Sequence, residues 1–215
     1  MTLNRSKPLV YLITDRSKLP RPTIRAMQTS LIDLLDEALS AGVDMIQIRE
    51  RDLSARELFS LAEQVAGMAR KAGAKLLIND RADVAASVNC GVHLTTRSLA
   101  ASVVRSAFGE EMLIGVSTHN IEEARMAESG GADFIVFGPV FETESKKAYG
   151  LPVGLAALGA VASGLQIPVL ALGGIKQSNF QAALDAGAAG VAAISMFTES
   201  GDINQLVREI KSSKE

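Results

Sequence analysis

Tryptophan is missing from these 215 residues, and other aromatic side chains are few, with two tyrosines and seven phenylalanines. Surfaces that grip single-stranded nucleic acid stack bases on aromatic rings, so the shortage argues against that class. An excess of charge is missing too. Lys and Arg number 22 against 24 Asp and Glu, a formal net charge of −2, which excludes the basic footprint of a general nucleic-acid binder. Cysteine occurs once, at Cys90, so no disulfide can form within the chain and a reducing compartment is expected. The most apolar stretch, Leu151 to Ile175, is broken by Pro152, Gly154, Gly159, Gly164, Gln166 and Pro168. It reads as a helix followed by a strand, not a membrane span. The N-terminal "MTLNRSKPLVYLITD" is basic, but its apolar run is too short for a signal peptide. The expectation is a soluble cytoplasmic protein of one domain, residues 1–215, with no nucleic-acid or membrane partner.

What is present is a regular alternation. Short β-rich runs recur at Leu9–Thr14, Asp44–Arg49, Lys75–Asn79, Gly91–Leu94, Met112–Ser117, Phe134–Phe137, Pro168–Ala171 and Gly190–Ile194. Most are nearly all apolar, as strands covered on both faces must be, which predicts a parallel sheet. Between them lie segments with helical spacing. In Ala55–Lys71, for example, Leu58, Leu61, Ala62, Val65 and Met68 share one face. "SAGVD", "KAGAK", "SGGAD" and "DAGAAG" each place glycine where a helix closes and a strand begins. Eight such units predict an α/β fold, a single-domain (β/α)8 TIM barrel. An open doubly wound sheet is the alternative.

In a barrel, chemistry collects at the C-terminal ends of the strands. Those positions hold Thr14-Asp15, Gln47-Arg49-Arg51, Asn79-Asp80, His93, Ser117-His119, the Thr143–Lys147 loop, Gly173-Gly174 and Ile194-Ser195. Gln47 and Arg49 alternate with Ile46 and Ile48, so both are expected to point into the barrel. A cation there needs an anion beside it, which is either a ligand or a structural partner such as Glu50 or Asp15. Gly173-Gly174 and Ile194-Ser195 sit where many barrels offer backbone amides to a phosphate, although a tight turn alone would also call for glycine. Thr143, Ser145 and Lys146 lie in a polar loop with the composition of a lid over a diphosphate, or of a plain solvated loop. His93 reads as a core histidine bonded to a backbone carbonyl. His119 reads equally as a helix-start residue or a proton carrier, with Asn120 and Glu123 in capping positions. Cys90 has no activating base nearby and is expected to be inert.

The stretches "YLITD", "GVDMIQIRERD", "LLINDRADVA", "GVHL", "IGVSTHNIEEA", "GADFIVFGPVFETESK", "PVLALGGI" and "AAGVAAISMF" occur in this order between about Leu9 and Phe197. In that order they resemble the thiamine phosphate synthase and TenI-like superfamily. The resemblance implies a (β/α)8 barrel acting in thiamine biosynthesis, on small phosphorylated pyrimidine and thiazole substrates. It implies that Gln47, Arg49 and Arg51 (where the family usually has Lys) hold the pyrimidine diphosphate, and that Asn79 touches the diphosphate. Asp80 would bind Mg²⁺, and Ser117 would hydrogen-bond the pyrimidine. Thr143, Ser145 and Lys146 would close over the phosphates, with Lys146 neutralising the leaving group. Gly174, Ile194 and Ser195 would take the thiazole phosphate on backbone amides.

One departure matters. After "GVHL" the synthases usually carry an Asp as the second magnesium ligand, and here Ser98 stands in its place beside Arg97. That loss, the phrase "VFET" and His119 are shared with TenI-like proteins, among them a thiazole tautomerase in which a histidine at this position moves the proton. The intact "NDR" and the complete Gln47-Arg49 and Thr143-x-Ser145-Lys146 sets favour the synthase. The expectation is therefore a transferase, a thiamine phosphate synthase using Mg²⁺. The alternatives are the tautomerase, an isomerase, and a non-catalytic relative that kept the cleft. A homo-oligomer is compatible with all three.

Overall fold

The computed structural model describes residues 3, 6–19, 24–143 and 151–213. Eight strands form its centre: β1 (Leu9–Ile13), β2 (Met45–Ile48), β3 (Lys75–Asn79), β4 (Gly91–Leu94), β5 (Ile114–Thr118), β6 (Phe134–Phe137), β7 (Val169–Leu172) and β8 (Gly190–Ala193). Each runs parallel to the next, and β8 returns to β1 with Leu9 opposite Gly190 and Tyr11 opposite Ala192. That last ladder closes the sheet and rules out the open alternative. Around it lie α1 (Ile24–Ala41), α2 (Ala55–Ala72), α3 (Ala82–Ser87), α4 (Ala101–Phe108), α5 (Ile121–Ser129), α6 (Gly154–Gly164) and α7 (Phe180–Asp185). A single turn, α8 (Ser195–Thr198), and α9 (Ile203–Ser212) follow the last strand. The apolar stretch after Leu151 is α6 and then β7, and among the described residues no helix is long and apolar enough to cross a membrane.

Local chemistry explains the elements. Ser54 caps α2, and the Glu57 carboxylate accepts the Ser54 N–H at 2.8 Å, so two otherwise orphaned N–H groups are satisfied together. Gly73 ends that helix with φ +75°, and Gly42, Gly131 and Gly187 turn out of their helices with φ of +88°, +86° and +102°. Those four glycines are the ones the sequence places at helix ends. Leu58, Leu61, Ala62 and Val65 of α2 are buried against the barrel, each leucine or valine contributing roughly 2 kcal/mol by leaving water.

Because side chains alternate along a strand, the sheet has two cores. Outward residues such as Val10, Leu12, Ile46, Ile48, Ile78 and Ile135 pack under the helices. Inward residues, including Tyr11, Met45, Leu77, Phe134, Val136 and Leu170, fill the barrel. The Phe134 ring lies against Gly115, where any Cβ would overlap it, so glycine on β5 makes room for this interior ring. At the floor, where the strands begin, Asp44 accepts the Val10 N–H at 2.8 Å and pairs with Lys211 at 3.0 Å. Asp133 accepts the Ile114 N–H at 2.7 Å and pairs with Arg105 at 2.8 Å.

Candidate active site

The opposite end of the barrel is built from the residues that follow each strand. On β2, Gln47 is buried with its amide 3.4 Å from the Asn79 side chain on β3. Arg49, two residues on, is half-buried, as the alternation predicts. Its backbone N–H donates to the Thr14 hydroxyl at 2.9 Å, tying the end of β2 to the end of β1. Both carboxylates proposed as its structural partners are engaged elsewhere. Glu50 is buried and accepts the Arg16 backbone N–H at 3.2 Å, with the Arg16 guanidinium 3.8 Å away. Asp15 caps the turn at Arg16–Lys18, accepting from the Ser17 N–H at 3.2 Å. No described carboxylate lies within ion-pair distance of the Arg49 guanidinium. Burial, with the neighbouring Arg51 second, pulls that guanidinium below its ordinary range. An anion seated at the mouth would relieve this cost. Arg51 itself is exposed.

Asp80 sits at the end of β3 with φ +64°, a left-handed conformation unusual for a residue with a side chain. Its N–H donates to the His93 carbonyl at 2.8 Å, which fixes the carboxylate at the rim, exposed. Such backbone outliers concentrate at ligand-binding positions. Ser98, in the place of the second acid, spends its hydroxyl on its own turn. It accepts the Thr95 N–H at 2.8 Å and lies 3.1 Å from the Thr95 hydroxyl. Among the described residues no three His, Cys, Asp or Glu side chains converge as a metal cage. One rim carboxylate beside Asn79 fits a magnesium ion held chiefly by substrate oxygens and water, the way this ion is often bound.

Ser117, at the end of β5, is half-buried and 2.8 Å from Nε2 of His93. His93 does not bond a backbone carbonyl through its ring, as the sequence reading expected. Its Nδ1 lies 3.2 Å from the Tyr11 hydroxyl, so its partners are two side chains inside the barrel. The alternation on β1 that turns Leu9 and Ile13 inward does the same to Tyr11, because period two leaves no other choice. That signal was present in "YLITD". His119 is exposed. Its ring Nδ1 donates to the Gly138 carbonyl, leaving Nε2 as the free nitrogen. Asn120 caps α5, accepting the Glu123 N–H at 2.8 Å, and the Glu123 carboxylate accepts the His119 N–H at 2.7 Å.

The glycine pair after β7 has a structural reason of its own. Gly173 and Gly174 have φ of +94° and +65°, and a Cβ on either would strike the Pro139–Glu142 segment. The Gly173 and Gly174 carbonyls accept from the Phe141 N–H at 3.0 Å and the Asn179 amide at 2.9 Å. The helix after this turn, α7, begins at Phe180. Ile194 and Ser195 open α8, whose leading N–H groups have no partner within the helix. Thr143 is half-buried, whereas Ser145 and Lys146 lie outside the described residues. The Cys90 thiol is pushed up to about 12 by burial, which keeps it protonated and inert.

A polar cluster the sequence reading missed, with Thr14, Arg16 and Glu50 buried and Asp52 exposed, supports this rim. The Arg16 guanidinium reaches Asp52 at 2.6 Å, and with Glu50 and Thr14 it joins the loops after β1 and β2. Charges spread over thirty-six positions leave no local pattern to find.

Known proteins resemble this chain over most of its length. The sequence model described as thiamine monophosphate synthase (TMP-TENI) matches residues 10–197. A protein from Geobacter sulfurreducens named putative thiamine-phosphate synthase is 45% identical over 202 residues, covering 94% of this chain and 92% of its own length. The thiamine-phosphate synthase of Halalkalibacterium halodurans is 43% identical, with 90% and 89% covered. Among solved structures, the thiamine phosphate pyrophosphorylase of Pyrococcus furiosus superposes with a TM-score of 0.83 at 30% identity, covering 97% of this chain and 96% of that one.

Proposed function

The chain belongs to the thiamine monophosphate synthase family, and we propose that it is itself a thiamine phosphate synthase. The reaction joins hydroxymethylpyrimidine diphosphate to thiazole phosphate and releases diphosphate. The observation that carries this reading is Arg49, a half-buried cation at the barrel mouth whose candidate carboxylate partners are committed elsewhere. Gln47, Arg49, Arg51 and Asn79 hold the diphosphate. The bond between the pyrimidine methylene carbon and the diphosphate oxygen breaks with its electron pair on oxygen, and charge-assisted hydrogen bonds from Arg49 and Lys146 stabilise the departing anion. The thiazole nitrogen, held beside the cation by the Gly174 and Ser195 amides on its phosphate, then forms the new carbon–nitrogen bond. Thr143 and Ser145 cover the phosphates, and Ser117 positions the pyrimidine. Asp80 is the chain's ligand for Mg²⁺, which would supply further neutralisation of the diphosphate. The reaction belongs to the cytoplasm, and the barrel works as one domain.

A second reading rests on His119. With Nδ1 committed to the Gly138 carbonyl, a neutral ring presents Nε2 as a proton acceptor at the rim, the group a thiazole tautomerase needs. One assay separates the two. Given both substrates and Mg²⁺, the synthase forms thiamine phosphate and diphosphate in equal amounts. Aromatisation of the thiazole phosphate tautomer without thiamine phosphate would replace the first reading by the second. Turnover of neither would leave a binding protein.

A further inference from the structure

We infer that Tyr11 and His93 are positioning residues that make Ser117 an obligate hydrogen-bond donor toward the substrate. The three form a chain running from the barrel's centre to its mouth, with Tyr11 Oη 3.2 Å from His93 Nδ1 and His93 Nε2 2.8 Å from Ser117 Oγ. Tyr11 is wholly buried and His93 nearly so, while Ser117 reaches the cleft. The rings also pack on Phe134, with centroids 5.7 Å from Tyr11 and 6.1 Å from His93. The imidazole is thereby held in one orientation.

The direction of the chain follows from which end can reach water. If His93 carried its proton on Nδ1 it would donate to Tyr11, and the Tyr11 hydroxyl hydrogen would be buried with no acceptor among the described residues. With the proton on Nε2, Tyr11 donates to Nδ1 and His93 donates to Ser117, and every buried hydrogen has a partner. The hydrogen left over belongs to Ser117, the only member that can offer it to the cleft. A doubly protonated imidazole would also donate to Tyr11, leaving that hydroxyl hydrogen without a partner and placing a charge in the apolar interior beside Phe134. Ser117 accepts from within and donates outward. It therefore selects a ligand atom that accepts, such as a ring nitrogen of a pyrimidine, and discriminates against one that donates. That last step rests on the synthase reading; the order of the chain does not.

The test has two arms. Long-range nitrogen–proton correlation on the wild-type protein reads the histidine tautomers directly. Only His93 and His119 contribute, and His119→Asn assigns them. The expected result is His93 protonated at Nε2; protonation at Nδ1 overturns the proposal. In the kinetic arm, Tyr11→Phe keeps the ring and removes the donor, and should lower kcat/KM about threefold to tenfold, the scale of one lost hydrogen bond. In a Ser117→Ala background the same change should cost nothing further, because no hydroxyl remains to orient. Full additivity of the two losses, as a purely structural Tyr11 would give, also overturns it. An Nε2-protonated His93 in a protein that makes no thiamine phosphate would confirm the chain and refute the synthase reading.

Discussion

At the floor of the barrel Asp44 and Asp133 each accept a backbone N–H from a neighbouring strand and an ion pair from a basic side chain, whereas at the mouth Arg49 faces no described carboxylate at that range. The same residue types thus do different work at the two ends. At the floor these two carboxylates are matched within the protein, so their contribution is to holding strands in register. At the mouth Arg49 is partly desolvated and Asp80 holds a left-handed backbone, two local costs that the fold alone does not require. Barrel enzymes divide stability and chemistry between the two ends in this way.

Substitutions at either end can break the comparison. The largest effect is expected from Arg49→Ala. It should lower kcat/KM for thiamine phosphate formation at least about a hundredfold, some 2.8 kcal/mol at tenfold per about 1.4 kcal/mol, and leave the melting temperature unchanged or higher. Steady-state kinetics with a thermal melt checks both. A lower melting temperature with normal kinetics would make Arg49 a structural ion like those of the floor.

The layer between the ends has its own pH signature. In the folded protein burial, with Arg49 adding to it, brings His93 down to about 3. In the unfolded chain histidine titrates near 6.5, so between these values the unfolded state binds the extra proton. The contribution to stability is intact above about pH 6.5 and is lost as the pH falls toward 3. Roughly 3 kcal/mol should go between pH 6.5 and 4. Denaturant melts across that range should show the loss in wild type and a much shallower one in His93→Gln.

At the floor, Asp133→Ala strands the Ile114 N–H and removes the Arg105 ion pair, and should cost about 2 kcal/mol of stability. For a chain of this size that lowers the melting temperature by about 4–8 °C, while kcat/KM of the folded enzyme stays within twofold. Lost activity with an unchanged melt would reverse the assignment of the two ends. The smallest effect is expected at His119. His119→Asn should lower synthase turnover by less than about tenfold, because its ring is anchored to the Gly138 carbonyl and the synthase reaction needs no proton relay there. On the tautomerase reading, aromatisation would fall roughly a hundredfold to ten-thousandfold.

Much of this was legible in the sequence, because it rests on period and position. The alternation of β2 put Gln47 and Arg49 inside, and the glycines at 42, 73, 131 and 187 marked helix ends that the structure finds at positive φ. What escaped was pairing at long range. Nothing local joins Arg16 to Asp52, or Tyr11 to His93, eighty-two positions apart. The glycine pair at 173–174 shows a subtler limit. Its position in the sequence suggests phosphate binding, but contact with the Pro139–Glu142 segment already demands glycine there, so residue identity alone is no mark of a ligand. Ser98 was legible as a missing acid, and only the structure shows its hydroxyl closing the Thr95 turn.

The difference between the ends comes down to whether the mouth keeps its charges for a phosphorylated ligand that brings its own metal. Calorimetric titration of Mg²⁺ into the protein, alone and with inorganic diphosphate present, measures this. With Asp80 as the one proposed carboxylate ligand and no converging acidic cluster among the described residues, the protein alone should show no tight binding, and heat beyond that of Mg²⁺ with diphosphate alone should appear only when protein and diphosphate are both present. Micromolar Mg²⁺ binding without diphosphate, or no binding with it, would contradict that.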